Sequence, residues 1–329
     1  MKRNAQIVGS GMSVPNKIVP NSYFNEILNQ DVDTWLRTNV QINNRRWAEE
    51  GELLSDFIVD AAQKAMQQAG VTAEQIDLLI IATDTPEFIS PSTASIVQDK
   101  MQLVNAGTFD LNTACAGFVT ALDTGSKFIQ ADEQYNHVLV VGAYMMSRYL
   151  ELTDKKTVTL FADGAGAVVL KATTEATGVL QSQLRAQGQF NSWMGIYSGG
   201  SKQPVDQNVV DGVGQKLEFV QKIPTDINPR VWTEMIQEVC AKQGITPNDV
   251  QHYFFTQINI NTIFETLDNL GLPHERATTI MHEYGYTGSA AIPMAYAVAD
   301  AEGKVKEGDY MIFMGSGGGL SFACALAKK

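Results

Sequence analysis

Gln68-Ala69-Gly70-Val71-Thr72 returns as Lys242-Gln243-Gly244-Ile245-Thr246, and the spacing of 174 residues from Gly70 to Gly244 recurs along the chain. Each copy leads into an apolar run, Leu78-Leu79-Ile80-Ile81 in the first and Tyr253-Phe254-Phe255 in the second. Thr113-Ala114-Cys115 stands opposite Thr287-Gly288-Ser289, again 174 apart, and Val138-Leu139-Val140-Val141-Gly142 stands opposite Met311-Ile312-Phe313-Met314-Gly315 at 173. Unlike elements that keep one spacing indicate a duplicated half, because solenoid and propeller repeats run at roughly 20–50 residues. The division this predicts is 1–172 and 173–329.

Within each half, apolar runs bounded by Gly, Asp and Pro alternate with stretches of helical period, the pattern of buried parallel strands joined by crossover helices in an α/β fold. Residues 55–68 set Phe57, Ile58, Ala61, Ala62, Ala65 and Met66 on one helical face, and Gly70 supplies the stop. A strand is predicted over 76–82, and Ser90-Pro91 reads as an N-cap followed by a first-turn proline, opening a helix to about Leu103. The second half repeats the order over 232–242, 250–256, 262–270, 289–301 and 309–314. Residues 187–216 are polar, glycine-rich and weakly periodic, and read as a long surface excursion.

With 329 residues, 44% of them hydrophobic, the chain has core enough for two fused halves. Its net charge of −12 argues against nucleic acid, which demands clustered Lys and Arg, so an anionic ligand must use a local patch. The longest nearly uninterrupted apolar stretch, 138–146, is far short of the ~18 residues a membrane helix needs. Met1-Lys2-Arg3 leads into a strand-like segment rather than a signal-peptide apolar region, so a cytoplasmic protein is expected. Cys115, Cys240 and Cys324 show no metal-type spacing, and reduced thiols are the simpler reading.

Cys115 stands where a strand-like run meets a helix. Unpaired amide N–H groups and the positive end of the dipole favour thiolate there, which makes it a nucleophile candidate rather than only a small buried hydrophobe.

Four landmarks in order carry a resemblance: Asp110-Leu111-Asn112-Thr113-Ala114-Cys115-Ala116-Gly117-Phe118, Phe161-Ala162-Asp163-Gly164-Ala165-Gly166-Ala167, Tyr284-Gly285-Tyr286-Thr287-Gly288-Ser289-Ala290 and Gly315-Ser316-Gly317-Gly318-Gly319. The chain resembles the thiolase-fold condensing enzymes, and among them the β-ketoacyl-acyl-carrier-protein synthase III group. The resemblance implies two βαβαβ-type halves related by pseudo-twofold symmetry, stacked as five α-β-α-β-α layers, in a homodimer. It implies that Cys115 takes an acyl group from a thioester, with oxyanion donors from its own N–H and from Gly318. Coenzyme A or acyl-carrier protein would bring that group, and no other cofactor and no metal is expected.

The sequence departs from the family where a His and an Asn hold the enolate formed by decarboxylation. Thr256 takes the His place in Phe255-Thr256-Gln257-Ile258-Asn259, and Tyr286 takes the Asn place. Each hydroxyl can donate one hydrogen bond, more weakly than an imidazolium. Three readings follow: decarboxylative Claisen condensation with a malonyl-type thioester through a Cys-Thr-Tyr site, acyl relay to an alcohol, amine or carrier, or a non-catalytic subunit. His282 is a candidate displaced base, while His137, His252 and His274 read as surface or strand-edge residues. Gln257 and Asn259, on the same motif, are candidate substrate contacts.

The resemblance also places Trp35 at the tunnel mouth, stacking on adenine. The family's arginines there become Asn39, Lys155 and Asn261, while Arg37, Arg45, Arg46, Lys155, Lys156 and Lys202 are candidates for a basic rim. Lysine grips phosphate less tightly than an arginine fork, which favours a carrier-bound acyl group over free coenzyme A. Ser90, flanked by Phe88 and Ile89, takes the place of the family residue that reaches across the dimer into the acyl pocket, and a small residue there would lengthen or open it.

Overall fold

The computed structural model describes residues 3–212 and 214–329; Met1, Lys2 and, within the 187–216 excursion, Val213 lie outside the described residues. In chain order its strands are β1 (Asn4–Ser13), β2 (Ile18–Pro20), β3 (Asn44–Arg46), β4 (Leu78–Ala82), β5 (Gly107–Leu111), β6 (His137–Met145), β7 (Asp163–Thr173), β8 (Gly178–Ala186), β9 (Met194–Gly195), β10 (Glu218–Phe219), β11 (His252–Phe255), β12 (Tyr310–Gly317) and β13 (Ser321–Lys328). The first large sheet runs β1-β7-β6-β4-β5 and the second runs β8-β13-β12-β11. In the first, β4 pairs in parallel with β5 and β6 while β7 is antiparallel to β6 and β1. In the second, β11 and β12 are parallel and β13 is antiparallel to β12 and β8. The second sheet repeats the order and directions of the first four strands, and a parallel bridge from Tyr253 to Ala277 stands where β5 would be. All strands of the first sheet precede residue 174, and those of the second follow residue 177.

The repeated pentapeptide proves to be a helix stop followed by a helix start. The Leu54–Ala69 and Ile227–Gln243 helices end on Gly70 and Gly244, at φ 63° and 76°, a left-handed conformation that glycine adopts without a Cβ clash. Thr72 with Gln75, and Thr246 with Asp249, then form reciprocal capping boxes on short 3₁₀ turns that deliver the chain into β4 and β11.

Between the sheets lie two helices, Gly117–Ala131 and Ala291–Ala301, and outside them lie Leu54–Ala69 with Thr93–Met101 on one face and Ile227–Gln243 with Ile260–Leu270 on the other. The five expected layers result. Covering both faces explains why β4 and β6 read as unbroken apolar runs. Leu78, Ile80, Val138 and Val140 point to the central core, whereas Leu79, Ile81, Leu139 and Val141 point to the outer one. Each such buried side chain contributes about 1.5–3 kcal/mol by leaving water.

Two boundaries differ from the sequence reading. The helix expected from Ser90 starts at Thr93, capped by Ser92, because the Asp110 carboxylate accepts the Thr93 and Ala94 N–H groups at 2.7 and 2.8 Å. That acidic group satisfies the helix N-terminus and ties it to β5. The central helix begins at Gly117, two residues beyond Cys115. Residues 187–216 carry β9 and the short Gln207–Asp211 helix, with β9 paired to β10.

Candidate active site

After β5 the chain makes a tight turn. Ala114 sits at φ 46°, the Asn112 side chain accepts the Ala114 N–H at 2.9 Å, and the Ala116 and Gly117 N–H groups donate to the Thr113 and Ala114 carbonyls at 3.2 and 2.8 Å. Cys115, 3% exposed, is held at the apex just ahead of the first turn of the Gly117–Ala131 helix. The glycine bend between β12 and β13 presses on this turn from the second half. A Cβ on Gly317 would lie 2.4 Å from the Thr113 carbonyl oxygen and 2.8 Å from the Cys115 amide nitrogen, and one on Gly318 would lie 3.8 Å from the Ala114 Cβ. Only glycine permits so close an approach of two backbones.

The thiolate expected from the helix terminus is not the resting form. Burial pushes the Cys115 thiol well up, and the Asp84 carboxylate pushes it further, against the Tyr286 hydroxyl and a backbone hydrogen bond that pull it down. Desolvation of a small anion outweighs the dipole here. Tyr286 is buried, its ring centroid 5.3 Å from that of Phe161, and its backbone exchanges hydrogen bonds of 2.9 Å with Leu160 and Ala162. Its phenol, like that of Tyr144, is held well above the usual range by burial.

Thr256 is buried at the end of β11, but its hydroxyl is engaged. It accepts the Ser316 N–H at 3.0 Å and lies 3.4 Å from the Ser316 carbonyl oxygen, to which it donates. The side chain thus clamps the strand that carries the glycine bend. Gln257 is also buried, and its amide ties the chain ahead of Tyr286, accepting the Ile280 and Met281 N–H groups and donating to the Thr278 carbonyl. Asn259 caps the Ile260–Leu270 helix, accepting the Asn261 N–H at 3.0 Å. Both polar side chains expected to touch substrate are committed to backbone. His282 is exposed on the short Met281–Tyr284 helix, while His252 and His274 pair with Asp309 and Asp268.

At the rim, Trp35 is 54% exposed, and the Asn261 amide donates to the Asn39 carbonyl at 2.8 Å, joining two of the positions read as rim residues. Lys155 is exposed, its Nζ 3.4 Å from the Gln30 amide oxygen. Arg45 does not belong there. It is fully buried, bonded to the Val19 and Thr159 carbonyls and Asn21, with its guanidinium over the Phe24 ring, because it holds the β2–β3 ribbon to the body. Arg46 and Arg37 are taken up by Glu283 and Asp33. Ser90 is exposed, and Phe88 and Ile89 beside it are 55% and 84% exposed. Clefts of about 380 and 450 Å³ flank this loop, and Cys115 lines neither of them.

Two residues that the sequence reading passed over also bear on the thiol. Asp84, in the loop after β4, and Tyr144, on β6, act on Cys115 or are acted on by it electrostatically. Asp163, inside the second landmark, is structural: its carboxylate accepts the Ala48 N–H at 2.7 Å and the Ser147 N–H at 2.9 Å.

A doubled α/β body whose central helix opens on a cysteine, met by a glycine bend from the other half, is a thiolase-fold condensing enzyme. More narrowly, the chain belongs to the 3-oxoacyl-[acyl-carrier-protein] synthase III family, which residues 109–188 match, with residues 240–329 matching its C-terminal part. It is 37% identical to the β-ketoacyl-[acyl-carrier-protein] synthase III of Clostridium perfringens strain SM101 over 328 residues, 99% of each chain. It is 36% identical to that of Symbiobacterium thermophilum over 330 residues, 99% of this chain and 98% of the relative. The crystal structure of the Aquifex aeolicus 3-oxoacyl-[acyl-carrier-protein] synthase III superposes with a TM-score of 0.90 at 30% identity, covering 99% of this chain and 100% of that one. The Thermus thermophilus enzyme gives the same score and identity over 98% and 99%. Among the described residues no helix is long and apolar enough to cross a membrane, and no cluster of His, Cys, Asp and Glu could hold a metal ion.

Proposed function

We propose that Cys115 accepts an acyl group from a thioester of coenzyme A or acyl-carrier protein and that the acyl-enzyme then condenses with a malonyl-type thioester to give a β-keto product. The contact of the Cys115 turn with the glycine bend carries this reading, since so close an approach of two backbones supports an oxyanion site built from amides of both segments. A donor aimed at the oxyanion is worth roughly 10²–10³ in rate, and amides fixed by close-packed backbone need no rearrangement to act. Thr256 supports the site from behind by holding β12, and Tyr286 is the hydroxyl nearest in role to the family's enolate donor. Trp35, Asn39, Lys155 and Asn261 would receive the thioester arm. The exposed Phe88 and Ile89 around Ser90 support a second copy of the chain closing over this loop, which would make the enzyme a homodimer.

Acyl transfer without carbon–carbon bond formation is the second reading, favoured by one observation. The Thr256 hydroxyl already serves Ser316 and has little left to offer an enolate. One experiment separates these readings and the non-catalytic subunit. The protein and its Cys115→Ala variant are incubated with acyl thioesters of several lengths and their intact masses recorded, then malonyl-carrier protein is added. Acylation followed by a β-keto product and carbon dioxide is the expected result, absent in the variant. Acylation without product would replace condensation by transfer, and no mass gain from any donor would remove the enzymatic reading.

A further inference from the structure

β11 leaves its sheet one residue earlier than β4 leaves the other. The last pairing of β11 with β12 joins Phe255 to Met314, whereas β4 and β6 go on to pair Ala82 with Gly142, the counterparts of Thr256 and Gly315. The strand that carries the glycine bend thus loses its neighbour where it meets the Cys115 turn, and a side chain takes over. The Thr256 hydroxyl accepts the Ser316 N–H at 3.0 Å and donates to the Ser316 carbonyl at 3.4 Å. Thr256 is itself held: its N–H donates to the Met314 carbonyl at 3.1 Å, and the Gln257 side chain beside it is bonded to backbone at residues 278, 280 and 281. Ser316 lies between two glycines that touch the Cys115 turn. A Cβ on Gly315 would lie 3.0 Å from the Ala116 Cα, and one on Gly317 would lie 2.8 Å from the Cys115 amide nitrogen. Fixing Ser316 therefore fixes the backbone against which the Cys115 amide is set.

The first half fastens the equivalent residue by another route. Ala143 is the counterpart of Ser316, and its carbonyl accepts the hydroxyl of Ser289, the counterpart of Cys115, at 2.7 Å. The counterpart of Thr256 there is Ala82, which has no hydroxyl to offer. In the second half the same tie made by residue 115 would occupy the thiol that has to attack a carbonyl carbon. We propose that Thr256 is a positioning residue that takes over the fastening role Ser289 plays in the other half, holding the glycine bend against the Cys115 amide and leaving the thiol for chemistry. Thr256 then acts on the acyl carbonyl through backbone, by keeping amide donors in place as the oxyanion forms, and is not itself a donor to an enolate.

This rests on the acyl-transfer reading and deepens it, yet the two can fail separately. Iodoacetamide alkylates a thiol by displacement at a saturated carbon and forms no oxyanion. p-Nitrophenyl acetate acetylates it through an oxyanion, without calling on a site for a thioester arm. Both adducts are mapped to Cys115 by peptide mass, and acylation by acyl thioesters is followed by intact mass. Thr256→Val should be alkylated within about twofold of the parent rate and acetylated about 10- to 10²-fold more slowly. Thr256→Ser keeps the hydroxyl and should recover acetylation to within a few-fold of the parent. Thr256→Ala, which opens space instead of setting a methyl against polar backbone, should match Thr256→Val and replaces it if that variant does not fold. Alkylation and acetylation that fall together, or that both hold at the parent rate, overturn the proposal. So does acetylation at the parent rate with slowed decarboxylation of malonyl-carrier protein, which would make Thr256 a direct donor to the enolate. The expected split in a protein that no thioester acylates would keep the positioning role and discard the thioester reading. A parent that takes an acyl group at Cys115 from neither kind of ester removes both.

Discussion

The turns at Thr113-Ala114-Cys115 and Thr287-Gly288-Ser289 occupy matching places in the two halves and have diverged in opposite directions. Both turn through a left-handed residue, Ala114 at φ 46° and Gly288 at φ 50°. Each packs on a glycine of the other half: a Cβ on Gly142 would lie 2.2 Å from the Ser289 carbonyl oxygen, and one on Gly315 would lie 3.0 Å from the Ala116 Cα. Two residues along each strand the symmetry breaks. β6 has Tyr144, whose ring lies 2.4 Å from where a Gly288 Cβ would be, and β12 has Gly317, whose own Cβ would lie 3.0 Å from that of Ala114. In the second half a phenol fills the space and the turn gives way; in the first the strand gives way and the turn keeps its side chain. Ser289 is then locked, donating its hydroxyl to the Ala143 carbonyl at 2.7 Å, while Cys115 is acted on by the Tyr286 hydroxyl and the field of Asp84. One copy of the motif became a fastener, and the other was cleared for chemistry.

The sharpest way to break this contrast is Gly317→Ala. The new methyl meets two backbone atoms, at 2.4 and 2.8 Å, and neither can move without shifting the Cys115 amide. Overpacking of this kind costs about 1–3 kcal/mol, and a misplacement near 1 Å costs about 10²-fold in rate. Acylation should therefore fall at least about 10²-fold, with a thermal midpoint lowered by several degrees. Full activity would show that the bend does not set the Cys115 turn. Tyr286→Phe comes next. Its hydroxyl favours the thiolate, so removing it moves the Cys115 thiol further up and shifts the alkaline limb of Cys115 alkylation by iodoacetamide, mapped by peptide mass, to higher pH, with roughly 10-fold slower reaction at neutral pH. Unfolding measurements should show little change, because the ring and its packing on Phe161 remain.

The sequence carried the fold because both halves punctuate it alike. A glycine stop and a capping box before each parallel strand are local signals, and both-face burial leaves unbroken apolar runs that local reading recovers. Cys115 was legible for the same reason, sitting at a strand-to-helix junction. The site around it was less so. Thr256 and Gln257 occupy motif positions that suggest contact with substrate, yet their hydrogen bonds go to Ser316 and to residues 278–281, partners some 20 to 60 residues away in sequence. Arg45 looked like rim charge until its burial beneath the β2–β3 ribbon appeared. The electrostatic effect of Asp84 on the Cys115 thiol reaches across the fold, and one aspartate in Ala82-Thr83-Asp84-Thr85 carries no local mark of it.

The finest test concerns strain. Ala114 holds a conformation that costs an L-residue about 1–2 kcal/mol, and its counterpart escapes that cost by being Gly288. Ala114→Gly would relieve the strain but widen the unfolded ensemble, a loss of roughly 0.5–1 kcal/mol. The two nearly cancel, so the thermal midpoint should move by no more than a few degrees. Rate should respond more than stability. Without its Cβ the turn loses the contact with Gly317 and Gly318 that fixes the Cys115 amide, and acylation should drop several-fold while the fold stays intact. If stability instead rose by more than about 1 kcal/mol with acylation unchanged, the strain at Ala114 would be an inherited cost with no part in the chemistry. The divergence of the two turns would then lie in Cys115 and Ser289 alone.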